Sequence, residues 1–137
     1  MSDARPAPAP CRRLLWIDCT AGAAVGVAVL ALAGWLSALY GLPRPLVVLM
    51  GVANLAYASF SFSLAVRRRR PRVLLLALVG ANVAWGLLCV RWAVLHAATA
   101  TPLGMATLLG EGLFVAGLGL LEWRCRDALL DAPPQSP

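Results

Sequence analysis

The chain has no lysine, one histidine, six acidic residues and only 13% charged side chains over 137 residues. A soluble domain carries about 25%, so there are too few charges to clothe a globule in water. The basic balance, a net charge of +6, is entirely arginine. Its placement beside apolar stretches gives no support to nucleic-acid binding. A single histidine, His96, leaves a cysteine and histidine metal cage without ligands. The four cysteines contain no CxxC pair, so a dithiol redox site has no sequence basis, and they are expected to pack as small apolar residues. HExxH, a phosphate-cradling glycine loop and a serine–histidine pair are all missing. No enzymatic activity, metal or cofactor is therefore expected.

What is abundant is hydrocarbon: 61% of the residues are hydrophobic and the mean hydropathy is +0.78. Apolar runs cover residues 14–40, 46–66, 73–95 and 103–123. Each reaches the roughly 20 residues that a helix needs to cross a hydrocarbon core of about 30 Å. Barrel strands would alternate polar and apolar residues, whereas residues 73–79 read VLLLALV. The expected fold is all-α, a polytopic membrane protein with four transmembrane helices in a bundle. Residues 1–13 and 124–137, rich in proline and small residues, are expected to be cytoplasmic tails, the first of them disordered.

The linkers are short. Residues 41–45 read GLPRP, residues 67–72 RRRRPR and residues 96–102 HAATATP; prolines in each punctuate helices. Arginines crowd the N-terminal flank, the second linker and the C-terminal flank, while the first linker has Arg44 alone and the third has none. The positive-inside rule then predicts both termini in the cytoplasm. Arg67, Arg68, Arg69, Arg70 and Arg72 would meet anionic lipid headgroups. The first apolar run exceeds the 7–15 residues of a signal-peptide core, so a retained span is expected. Alanine, arginine and proline usage points to a bacterial inner membrane.

The candidate site is the polar content of the spans, because an acid at the centre of a membrane helix costs about 3 kcal/mol on insertion scales. Glu111 lies nine residues beyond Pro102, Asn54 nine beyond Pro45 and Asn82 ten beyond Arg72. At 1.5 Å per residue all three fall near the midplane, about 13–15 Å deep. Helical spacing sets Tyr57 beside Asn54 and Trp85 beside Asn82, and it places Glu122 on the Glu111 stripe. A hydrogen-bonded cluster of Glu111, Asn54, Asn82, Tyr57 and Trp85 is expected. In the first span, Asp18, Gly22 and Gly26 are four apart. Asp18 is expected to pair with an interfacial arginine, and the two glycines to seat a neighbouring helix or a second copy of the chain.

Two functions fit these features. In one, the protein is a non-enzymatic scaffold or accessory bundle whose polar cluster fixes helix register. In the alternative, Glu111 is the proton-exchanging acid of a small-molecule or ion transporter. The lipid bilayer is the expected partner in both, and a homo-oligomer is compatible with either.

Overall fold

The computed structural model describes residues 9–67 and 71–131. It is all-α, with no strand among the described residues. Six helices follow in order: α1 (Ala9–Ala31), α2 (Ala33–Tyr40), α3 (Arg44–Ala65), α4 (Arg72–Leu95), α5 (Pro102–Arg124) and α6 (Arg126–Asp131). Three of them, α3, α4 and α5, are long and apolar enough to cross a membrane. A fourth crossing exists only if α1 and α2 count together as one bent span. The apolar side chains agree with a lipid setting: Leu113 is 76% exposed, Val73 75%, Val94 71% and Leu87 68%. A soluble monomer rarely leaves so continuous an apolar surface bare.

The helix ends follow from local chemistry. Pro43 precedes α3 and Pro45 sits in its first turn; Pro71 precedes α4. Proline's fixed φ and missing N–H suit these positions. Thr101 caps α5, its hydroxyl accepting from the Gly104 N–H at 3.1 Å. Gly41 ends α2 with φ 63°, a left-handed conformation in which a side chain would be strained.

The first apolar run is not one straight helix as expected. It breaks at Leu32, and α1 and α2 meet at 86°. A straight helix over residues 14–40 would be about 40 Å long, against a core of about 30 Å, and kinking is one way to absorb such an excess. The far end of α2 is tied down: the Tyr40 carbonyl accepts from Thr101 N–H at 2.8 Å, and the Leu39 carbonyl accepts from the Thr101 hydroxyl at 2.8 Å. These are orphan carbonyls of the last helical turn, satisfied by the start of α5. Short stretches of both expected tails are helical. Helix α1 begins at Ala9, and residues 126–131 form α6. Residues 1–8 and 132–137, where the rest of the tail assignments fall, lie outside the described residues.

The helices associate as two pairs, each closed by glycine. In the α1–α3 pair, a methyl placed on Gly22 would lie 3.3 Å from Ala58 Cβ, and one on Gly26 would lie 3.0 Å from the Gly51 carbonyl oxygen. In the α4–α5 pair, a methyl on Gly86 would lie 3.1 Å from the Gly112 carbonyl oxygen, and one on Gly119 3.0 Å from Asn82 Cβ. Small residues let backbones approach where lipid offers no hydrophobic drive between helices. Two apolar cores result. Leu15, Leu64, Ala65, Leu75, Leu78 and Leu118 pack at the basic end, where α3 gives way to α4. Leu36, Leu42, Leu46, Val47, Met50, Ala93 and Leu108 pack at the far end, beside the turns at 41–43 and 96–101. Between these cores runs a seam where the two pairs face one another with polar side chains.

Candidate functional site

Glu111 on α5 sits in the seam and is half-buried. Its Oε1 accepts from Asn54 Nδ2 on α3 at 2.9 Å and from the indole Nε1–H of Trp85 on α4 at 2.9 Å. One carboxyl oxygen therefore joins three helices and both pairs. Asn54 also donates to the Met50 carbonyl one turn back, at 3.0 Å, which fixes its amide. Trp85 is held edge-on by Trp92, with ring centroids 5.4 Å apart, so its N–H is aimed before Glu111 is engaged. The neighbouring Gly86–Gly112 contact is what brings the α4 and α5 backbones close at this level.

A second polar layer lies toward the basic end. Asn82 is buried and its Nδ2 donates to the Tyr57 hydroxyl and to Glu122 Oε2 at 2.9 Å. Asp18 on α1 faces the hydroxyls of Ser61 and Tyr57, and Ser61 donates to the Leu15 carbonyl at 3.3 Å. Asp18 and Glu122 are only 2% and 0% exposed.

The expected single cluster thus divides in two. Asn54 and Trp85 join Glu111, whereas Asn82 and Tyr57 join Glu122. Counting residues from the span ends locates Cα atoms, but side chains lean toward the N-terminus of their own helix. Helices α4 and α5 run in opposite directions, so Asn82 leans toward the basic end and Glu122 leans away from it, toward Asn82. Gly119, one turn before Glu122, leaves the gap that Asn82 fills. Glu122 is the residue that sequence reasoning passed over as a site. Its signal was the spacing that puts it on the Glu111 stripe.

Asp18 also departs from expectation. No arginine pairs with it among the described residues, and its Oδ2 has no hydrogen-bond partner. Helix α1 turns this residue into the seam rather than toward the interface. Gly22 and Gly26 seat α3 of the same chain, so this face is occupied internally. Arg67 and Arg72 are exposed at the basic end, while 68–70, the remainder of the proposed lipid-binding arginines, lie outside the described residues. Arg91 is exposed and takes no part in the Glu111 bonds. Cys19 and Cys89 are buried and free, as packing residues would be, but Cys125 is disulfide-bonded, which the spacing did not foretell. No cluster of metal-ligating side chains occurs among the described residues.

Two cavities flank the seam. One, of about 340 Å³, opens between α3 and α4 and is lined by Asn54, Tyr57, Phe60, Asn82 and Trp85 among others. The other, of about 350 Å³, opens between α1 and α5 and is lined by Asp18, Asn54, Tyr57, Thr107, Glu111 and Phe114 among others. Asn54, Tyr57 and Val115 line both, so they form the partition between them. Such volumes hold a small ligand or several waters. No family model, curated protein or solved structure matches the chain.

Proposed function

We propose that the chain is a four-span membrane protein that couples proton exchange at Glu111 to the movement of a small cationic solute. The observation that carries this reading is that one Glu111 oxygen ties α3, α4 and α5 together while the residue lines a cavity. A carboxyl placed this way has two competing uses. Deprotonated, it accepts from Asn54 and Trp85 with a full charge; protonated, or paired with a cation in the cavity, its Oε1 becomes a weaker acceptor and the hold on both helix pairs loosens. Ionisable groups inside spans are costly, and pathways for ions and solutes are where they are retained. The solute is cationic because the cavity presents Asp18 and Glu111 and no basic side chain. Phe114 and Tyr57 in its wall suit an apolar body around the charge.

Tetraphenylphosphonium is a suitable probe, read by quenching of tryptophan fluorescence in the purified protein. Binding should weaken as pH falls, because protons and probe compete for Glu111. Glu111→Gln should reduce affinity about 10-fold, the worth of one charge contact of about 1.4 kcal/mol, and should flatten the pH dependence. Unchanged, pH-dependent binding in Glu111→Gln overturns the reading.

The scaffold reading rests on a different observation, the two hydrogen bonds that Glu111 already accepts. It predicts that Asn54→Leu lowers stability and that no variant changes probe binding. We assign no catalytic role. The arginine distribution favours cytoplasmic termini in a bacterial inner membrane, with the basic linker against anionic lipid. Cysteine labelling of the two ends tests that orientation.

A further inference from the structure

The layer at the basic end shares Asp18 and Tyr57 with the wall of the Glu111 cavity, and it is the more deeply buried of the two. Four helices supply a group: Asp18 from α1, Tyr57 and Ser61 from α3, Asn82 from α4 and Glu122 from α5. Asn82 joins Tyr57 to Glu122. Asp18 faces Tyr57 and Ser61 and lies within electrostatic range of Glu122. Both acids are more than nine-tenths buried, and each keeps one oxygen, Asp18 Oδ2 and Glu122 Oε1, without a hydrogen-bond partner. Neither carboxyl is paired with an arginine among the described residues. An unpartnered carboxylate oxygen in so dry a place is expensive. Two such oxygens, on acids that both bond the Tyr57 hydroxyl, mark a place for a cation.

We propose that Asp18 and Glu122 bind a dehydrated Na⁺ in exchange for one proton. The oxygens it would use are the unpartnered Asp18 Oδ2 and Glu122 Oε1 and the hydroxyl oxygens of Tyr57, which also accepts from Asn82, and Ser61, which also donates to Leu15. Four oxygens fall short of the 6–8 that Ca²⁺ takes, and Mg²⁺ keeps several waters that a sealed site has no room for. The desolvation cost also rises with the square of the charge, which again favours a monovalent ion. The exchange balances. Its starting point is a pair with both carboxyls protonated and no net charge. On binding, one O–H bond breaks, its proton leaves to water and Na⁺ takes its place, so the pair stays neutral with one proton retained. Other titratable groups near the pair are Cys19 beside Asp18 on α1, Tyr57 on α3 and Glu111 three turns away on α5; α4 presents the neutral Asn82, and no charged side chain of α6 is bonded to either acid.

This site rests on the membrane-spanning reading but not on the role given to Glu111. The test uses the full chain in detergent micelles, with NaCl replacing choline chloride at constant ionic strength. Thermal unfolding and a pH-indicator dye are read together. Na⁺ should raise the unfolding midpoint saturably and release about one proton per ion bound, with K⁺ and Ca²⁺ much weaker. Asp18→Asn and Glu122→Gln should lose both responses, whereas Glu111→Gln should keep them. Should either acid variant fail to fold, Tyr57→Phe supplies the readout, with an apparent Na⁺ affinity about five-fold weaker. Equal midpoints in Na⁺ and choline, a response to Ca²⁺ alone, or full Na⁺ affinity in Glu122→Gln or Tyr57→Phe would each overturn the proposal.

Discussion

The pairing of Asn82 with Glu122 rather than Glu111 can be measured by a double-mutant cycle. Asn82→Ala removes two donated hydrogen bonds, to Tyr57 and to Glu122, and takes the amide donor from Glu122 Oε2. Interhelical hydrogen bonds in membrane proteins average about 0.6 kcal/mol and reach about 1.7. The single substitution should therefore cost about 1–3 kcal/mol. The cycle isolates the pair: Asn82→Ala with Glu122→Ala should show a coupling of about 0.6–1.7 kcal/mol. The same cycle against Glu111→Ala should give additivity within about 0.5 kcal/mol, as expected of groups that share no bond. Reversible unfolding by sodium dodecyl sulfate in mixed micelles supplies the free energies. The reasoning is refuted if the Asn82–Glu111 coupling equals or exceeds the Asn82–Glu122 coupling.

Other substitutions probe the seams around this cluster. Gly26→Ala would bring a methyl to 2.8 Å from Leu55 Cγ and 3.0 Å from the Gly51 carbonyl oxygen, and should cost about 1–3 kcal/mol by overpacking. Gly117→Ala meets nothing within 4 Å and should stabilise by about 0.5–1 kcal/mol through helix propensity. Equal effects in the two would remove the close α1–α3 approach from the account. Thr101→Val removes the α5 cap and the bond to Leu39; a loss of about 1–2 kcal/mol is expected, together with greater hydrogen exchange in α2. In intact cells, after replacement of the native cysteines, a cysteine at Thr99 should react with an impermeant maleimide and one at Arg67 should not. The reverse pattern would place the basic end outside.

The elements most legible in the sequence were α3, α4 and α5, because lipid demands about 20 apolar residues for every crossing and leaves no other way to satisfy the backbone. The bend at Leu32 was not legible. No proline lies near that residue, and the bonds that hold the end of α2 come from Thr101, far along the chain. Depth counting found the residues around Glu111, since Asn54, Trp85 and Glu111 truly share a level. It failed for Asn82, whose partner is decided by the direction in which side chains lean on antiparallel helices and by the gap at Gly119. An arginine-rich flank within a few residues of Asp18 predicts an ion pair in the inner leaflet. Rotation of α1, set by Gly22 and Gly26 against α3, turns that residue into the seam instead.

Transport through the Glu111 cavity is tested most directly by loading proteoliposomes with tetraphenylphosphonium and imposing a pH gradient. The account predicts efflux from wild-type vesicles that follows the gradient and collapses with it, while folded Glu111→Gln shows only the leak of protein-free vesicles. Gradient-driven efflux of equal rate in Glu111→Gln and the wild type would contradict it.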